Sequence, residues 1–238
     1  MKQANIDNLV SLWLTAAQAF SGYNRSGNLH IISISNSEWP NRIWCNPDDA
    51  IHAEEVQKLM QEHNGKLTFS HWIPVDRDEY LESEKLGLQL KSLQIGMSLS
   101  LSDYQEEHIA PTVSLNPVNT LEEAQRWSEV FKNCFNYLIP EKVISAIRDK
   151  ANFYLITKNA DTVGCVATYI KDGQIGIHCL GTLGTYRKQG IGENVMLQVL
   201  ADAKNKNITT AHLQSSMMGL GIYTKLGFKQ LFKMCNCK

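Results

Sequence analysis

The sequence predicts an α/β protein on a mixed sheet (α+β in arrangement), divided into two related halves at residues 1–108 and 109–238. Two features of the second half lead there. Strand-like and helix-like runs alternate in the order β-α-α-β-β-β-α-β-α-β, and a basic, glycine-containing loop separates a β-branched run from an amphipathic one. A third feature is a weaker copy of that closing order in the first half, which reads as a domain-sized internal repeat.

Along the chain, the first apolar-looking stretch, Ile6 to Phe20, carries Asp7, Asn8, Ser11, Thr15 and Gln18. It is too polar and too short to span a bilayer, and it lacks the basic flank and small-residue cleavage site of a signal peptide. A helical run is expected over about 48–63, a strand over Leu67 to Ile73, a helix from about 77 and a strand over about 92–101. Glu84-Lys85-Leu86-Gly87-Leu88 stands in this half much as Thr224-Lys225-Leu226-Gly227-Phe228 stands in the other. Glu106 to Pro111 is the expected linker.

In the second half, residues 111–116 suit a strand, and Thr120-Leu121-Glu122-Glu123 is a capping box opening a helix that carries Trp127, Val130 and Phe131. Pro140 starts a second helix. Residues 152–158 and 163–171 alternate as strands around a turn at Asn159 to Asp161, and Asp172-Gly173 suits the tight turn into a third strand, Gln174 to Thr182. Val195, Met196, Val199, Leu200 and Ala203 recur at helical spacing, Ala211 to Ser215 make the next strand, and Phe228 to Cys235 the last.

Arg187-Lys188-Gln189-Gly190-Ile191-Gly192 therefore feeds a helix N-terminus. Amide hydrogens there have no intrahelical acceptor and the helix dipole adds positive charge, so the place suits a pyrophosphate. Gly190 and Gly192 let the anion approach the backbone, and Arg187 and Lys188 add cations. The dinucleotide fingerprint needs a different glycine order early in the chain, and the Lys-Ser/Thr of a Walker loop is missing. In the first half, Asn46-Pro47-Asp48-Asp49 put acidic side chains where such an anion would sit, so that half should bind none.

This loop resembles the acetyl-CoA pyrophosphate loop, Q/R-x-x-G-x-G/A, of the GCN5-related N-acetyltransferase (GNAT) superfamily, and Gly221-Ile222-Tyr223-Thr224-Lys225-Leu226-Gly227-Phe228 resembles the family's LYxKLGF segment. The resemblance covers roughly residues 110–238. It implies a GNAT fold in the C-terminal half, a degenerate GNAT-like α/β domain in the N-terminal half that shapes the acceptor pocket, and acetyl-CoA as co-substrate. It implies further that a strand bulge exposes backbone around Leu180, Gly181 and Thr182 to the pantetheine arm. Ser216 takes the place of a frequent asparagine on that arm. Tyr223 takes the place of the tyrosine that protonates the leaving thiolate.

Strand alternation places Ile175, Ile177 and Cys179 on a core face and Gln174, Gly176, His178 and Leu180 on the other, so His178 should face a ligand space beside Gly176. A free imidazole titrates near about pH 6.5 and a phenol near about 10, which makes His178 the candidate base and Tyr223 the candidate acid. A hydrogen-bonded sheet histidine and a packed aromatic anchor are the structural alternatives. Many members of the superfamily use a glutamate earlier on this strand, where this chain has Gln174, which cannot act as a base. Cys179 is expected to be buried and inert. Phe135 and Tyr137 are expected at the acceptor pocket, whereas Trp127 and Phe131 suit a packing stripe.

Of the 238 residues 43% are hydrophobic and 20% charged, and the net charge of −1 offers no field for nucleic acid or an anionic membrane. The six cysteines are too sparse for a secreted disulfide scaffold, so a cytoplasmic protein with reduced thiols is expected. Cys235-Asn236-Cys237 lacks partner ligands and suits a frayed terminus, the histidines show no metal spacing, and no metal is expected. The expected activity is transfer of acetyl from acetyl-CoA to a primary amine of a small molecule by direct attack in a ternary complex, with a homodimer left open. The alternatives are a catalytically silent acyl-CoA-binding regulatory module and a protein or peptide N-acetyltransferase.

Overall fold

A computed structural model describes residues 1–102, 104 and 111–238; all but Pro111 of the expected linker lies outside these residues. The chain begins with α1 (Lys2–Gln18), then β1 (Tyr23–Ser26), β2 (Leu29–Ile32), β3 (Arg42–Trp44), α2 (Ala53–Glu62), β4 (Thr68–Ile73), α3 (Glu79–Glu84) and β5 (Leu90–Ser100). It continues through β6 (Ser114–Pro117), α4 (Leu121–Phe135), α5 (Glu141–Ile147), β7 (Asn152–Lys158), β8 (Asp161–Lys171) and β9 (Gln174–Thr182). A 3-10 turn at Gly184–Tyr186, α6 (Ile191–Asn205), β10 (Thr210–Ser215), α7 (Leu220–Lys225) and β11 (Lys229–Cys237) complete it.

The capping box at Thr120 forms with both of its hydrogen bonds, which fixes where α4 starts. Asp172 and Gly173 both take positive φ, 50° and 70°, as a two-residue hairpin turn between twisted strands requires. The repeated E/T-K-L-G-L/F segments end their helices alike. Gly87 and Gly227 sit at φ 63° and 88°, and the amides of Leu88 and Phe228 reach back to the carbonyls of Ser83 and Tyr223.

All eleven strands form one sheet in the order β1-β2-β3-β4-β11-β5-β10-β9-β8-β7-β6. Its centre is antiparallel: β11 pairs with both β4 and β5, and β5 pairs with β10. The next step outward is parallel on both sides, β3 on β4 and β9 on β10. The sheet thus reads nearly the same from either direction about the β11–β5 seam. Residue 108 falls between β5 and β6, yet β11 from the chain's end lies between two strands of the first half, and β5 lies against the second half's β10. The Cys235-Asn236-Cys237 tail is consequently a buried strand paired on both sides, and the expected frayed end is corrected.

The stretch Ile6 to Phe20 forms most of α1, an element the sequence did not assign. It packs on one sheet face beside α4 and α5, burying Leu9, Leu12 and Trp13 against Trp44 and Phe131, among others. Burial of each such side chain stabilises by roughly 1.5–3 kcal/mol, which holds a helix that has no side-chain cap. The opposite face carries α6 and α7 over Met97, Ile175, Ile177 and Leu213, and α2 over Ile43 and Phe69. The first-half helices begin later than periodicity suggested, α2 at Ala53 and α3 at Glu79, because Asp49 first closes a turn on Asn46 and Asp78 caps α3.

Candidate functional site

The parallel pairing of β9 with β10 runs from Gln174–Thr210 to Ile177–Leu213 and stops, although both strands continue to Thr182 and Ser215. Beyond that point the strands part. At the same place β9 bulges: Cys179 takes φ 57° and the register with β8 shifts between Cys165 and Ala167. An extra residue in a strand turns the side chains that follow it to the other face. Cys179 accordingly packs into the cluster under α1 and α4, and Leu180 into the cluster under α6. The expectation that Cys179 shares a face with Ile175 and Ile177 is corrected. Burial pushes its thiol up to about 12, so it is no nucleophile at neutral pH.

A cavity of about 1170 Å³ opens from this fork, and His178, Leu180, Ser216 and Tyr223 all line it. Phe135 and Tyr137 form part of its wall, while Trp127 is fully buried and stacks on Phe131 at 5.2 Å. The space expected beside Gly176 is filled. A Cβ there would lie 2.0 Å from Asn8 Oδ1 and 2.3 Å from His178 Nε2. Gly176 serves the close approach of α1, and the open cavity lies further along β9.

His178 is buried, with Nε2 3.3 Å from Asn8 Oδ1. The Asn8 amide donates through Nδ2 to the Tyr169 carbonyl, so its oxygen is left to accept from the ring. This makes Nε2 the protonated nitrogen and Nδ1 the one able to take a proton. Burial pulls the imidazole down to about 4, with the nearby Gln214 side chain partly countering and the neighbouring His212 adding to the fall. Gln174 is occupied: its Oε1 lies 2.6 Å from His212 Nε2, and His212 Nδ1 lies 2.7 Å from Ser98 Oγ. Tyr223 packs at 6.0 Å from the Phe228 ring, and burial raises its phenol to about 12. Among the described residues its hydroxyl has no hydrogen-bond partner.

The loop lies outside the cavity, at the N-terminus of α6. Gly190 adopts φ 73°, a left-handed geometry suited to glycine, and a Cβ on it would meet nothing within 4 Å. At Gly192 the nearest atom to such a Cβ is Ile222 Cδ1 at 3.6 Å. Ground above the first amides of α6 is open on the side a pyrophosphate would take. Lys188, at φ 60°, is exposed, and Gln189 Oε1 accepts from Lys158 Nζ at 3.0 Å. Ile191 instead buries its side chain in the core and offers only backbone. Arg187 is less mobile than the sequence suggested, since Nε donates to the Thr182 carbonyl at 3.1 Å and Nη2 to that of Cys134 at 3.5 Å. Gly181 lies under α4, where a Cβ would come within 2.7 Å of Cys134 Cβ.

Sequence reasoning missed Asn8, Gln214 and Arg42. The signal for Asn8 was present, since Asn5 and Asn8 interrupt the apolar face of α1 shared with Leu9, Leu12 and Trp13, and a polar residue on a buried face needs a specific partner. Among the described residues no group of three or more His, Cys, Asp or Glu is placed to hold a metal, and no helix is long and apolar enough to cross a membrane.

A family model described as an acetyltransferase (GNAT) domain matches residues 101–236. Solved structures similar in fold include a GCN5-related N-acetyltransferase from Kribbella flavida, 17% identical with TM-score 0.63, covering 96% of this chain and 95% of that one. Another, from Sphaerobacter thermophilus, is 12% identical with TM-score 0.64 and covers 88% of this chain and 76% of the other. A GCN5-related glucosamine N-acetyltransferase region of a fungal multi-domain GH3 β-N-acetylglucosaminidase is 11% identical with TM-score 0.59, covering 99% of this chain and 36% of that one. A search of curated proteins finds no match.

Proposed function

Because the chain belongs to the GNAT acetyltransferase family and is therefore an acyltransferase, we propose that it moves an acetyl group from acetyl-CoA to a primary amine of a small molecule by direct attack in a ternary complex. One observation carries this reading: where β9 and β10 part, His178 on β9 and Tyr223 on α7 line one cavity, and a helix N-terminus follows with open ground over Gly190 and Gly192. The amides opening α6, with Lys188, hold the pyrophosphate. Backbone near Leu180, Gly181 and Thr182, with the Ser216 hydroxyl, guides the pantetheine arm.

As the amine nitrogen bonds to the acetyl carbon, that nitrogen becomes positive and its proton acidic. His178 Nδ1 takes the proton, directly or through a water. An imidazole held near 4 is neutral at physiological pH but a weak base, so it acts after the carbon–nitrogen bond has begun to form rather than on the free ammonium. Tyr223 stays protonated across the physiological range and donates to the sulfur as the carbon–sulfur bond breaks.

The first half is proposed as a diverged copy that lacks the phosphate loop and walls the acceptor cavity. The mirrored sheet order and the paired glycine helix ends support this. The acceptor is drawn from the cytoplasm, and the near-neutral net charge favours neither a nucleic acid nor a membrane as partner.

The test is thiol release from acetyl-CoA over a panel of primary amines, with CoA binding followed by calorimetry. Tyr223→Phe is expected to lower kcat about 10–100-fold and His178→Ala about 100-fold, both with CoA affinity held within a few-fold. Full turnover in both variants would remove them from the chemistry.

A further inference from the structure

Arg42 on β3 is a partly buried cation with no ion-pair partner among the described residues. Its guanidinium lies 3.9 Å from the Trp13 ring, Nε donates to the Pro40 carbonyl at 3.1 Å, and Nη1 donates to Ser70 Oγ at 3.2 Å. Among the described residues no carboxylate forms an ion pair with it, and its remaining N–H donors have no acceptor. A charge drawn partly out of water normally has a counter-charge, because its lost hydration is otherwise uncompensated. Burial pulls this group down only to about 10, so it stays cationic at neutral pH. Arg42 lines the same cavity as His178 and Tyr223.

Between Arg42 and His178 the cavity floor is polar and connected. Ser70 Oγ donates to Asn236 Oδ1 at 2.8 Å, Asn236 Nδ2 to Gln94 Oε1 at 3.3 Å, and Gln94 Nε2 to the Gln214 carbonyl at 3.2 Å. Asn236, Gln94 and Gln214 all border the cavity. The Arg42 guanidinium sits over β4 at Ser70, and His178 lies near Gln214 on β10, which lies three strands away in the sheet order. At about 4.8 Å per strand the two groups are separated by about 14 Å.

The geometry points to an elongated acceptor with the reacting amine at one end, a carboxylate about 10–15 Å away bound by Arg42, and hydrogen-bonding groups between them that meet Asn236 and Gln94. A guanidinium fork matches a carboxylate in shape, which the point charges of Lys66, Lys91 and Lys238 elsewhere on the cavity wall do not. Short peptides of three or four residues with a free amine and a free carboxylate have this length and polarity, at about 3.3–3.6 Å per residue. This rests on the acetyl transfer proposed above, and the fork fixes which end carries the amine.

The test uses the full chain with glycine oligomers of two, three and four residues, each as the free acid and as the C-terminal amide. Binding is read by calorimetry with and without CoA, and transfer by thiol release from acetyl-CoA. Expected is at least a tenfold preference for acid over amide at three and four residues, with little preference at two. Arg42→Gln should bring that ratio close to one by raising KM for the acids, and Arg42→Lys should leave an intermediate ratio. CoA affinity reports that each variant is folded. Equal binding of acid and amide by the wild-type chain, or binding of neither while CoA binds, overturns the proposal. A chain that takes up no CoA sinks the transferase reading instead, and the acid-to-amide binding ratio still tests the Arg42 pocket.

Discussion

Asn8 Oδ1 stands 3.3 Å from His178 Nε2, so the first helix of the chain fixes the tautomer of a ring on β9, 170 residues away in sequence. Asn8 is a positioning residue, acting through the imidazole. Asn8→Asp would set a carboxylate against the ring N–H and raise the imidazole from about 4. The acid limb of the kcat profile is expected to move upward by a unit or more in Asn8→Asp, while Asn8→Ala lowers kcat about tenfold without moving the limb upward. A limb unmoved in Asn8→Asp would separate His178 from the proton transfer.

Acid should weaken the fold through three buried histidines. Burial is the leading cause that lowers His71, His178 and His212 to about 4 each. The unfolded chain takes protons near about pH 6.5, while the folded chain resists them until about 4. Stability is therefore whole above pH 6.5, falls between 6.5 and 4, and levels off below. Each histidine contributes on the order of 3–4 kcal/mol to the fall, at about 1.4 kcal/mol per pH unit over about 2.5 units. Urea midpoints from pH 7.5 to 4.5 would show this, and His212→Gln should flatten the slope.

Gly190→Ala is expected to act twice. Forcing a Cβ at φ 73° costs about 1 kcal/mol of stability, and the methyl group stands where the pyrophosphate would press on the backbone. CoA affinity should fall about tenfold or more, with only a few degrees lost in Tm. Unchanged CoA affinity would place the diphosphate elsewhere.

At the seam, Gly96 on β5 faces Phe232 on β11, and a Cβ on Gly96 would lie 2.1 Å from the Phe232 ring. Phe232 is fully buried and has nowhere to retreat. Gly96→Ala should destabilise by about 3 kcal/mol or more and Phe232→Ala by roughly 3–5 kcal/mol, both read from urea unfolding.

Local chemistry was legible in the sequence. The Thr120 capping box, the Asp172-Gly173 turn and the glycines at the start of α6 depend on a few adjacent residues, and each appears where the sequence placed it. The strand exchange was not legible, because β11 pairs with strands more than 130 residues away and alternation carries no information on partner choice. The bulge at Cys179 defeated the alternation argument for a related reason: one inserted residue changes the phase of all that follow. Arg42 was invisible because a lone arginine in a short strand gains meaning only once Trp13, Ser70 and the cavity surround it.

With β5 and β11 each embedded beyond the half that encodes it, neither half is a portable module. Heating should give a single calorimetric peak rather than two. Residues 111–238 produced alone would leave the flank of β10 bare and β11 without either neighbour, and such a fragment should aggregate rather than act as a minimal enzyme.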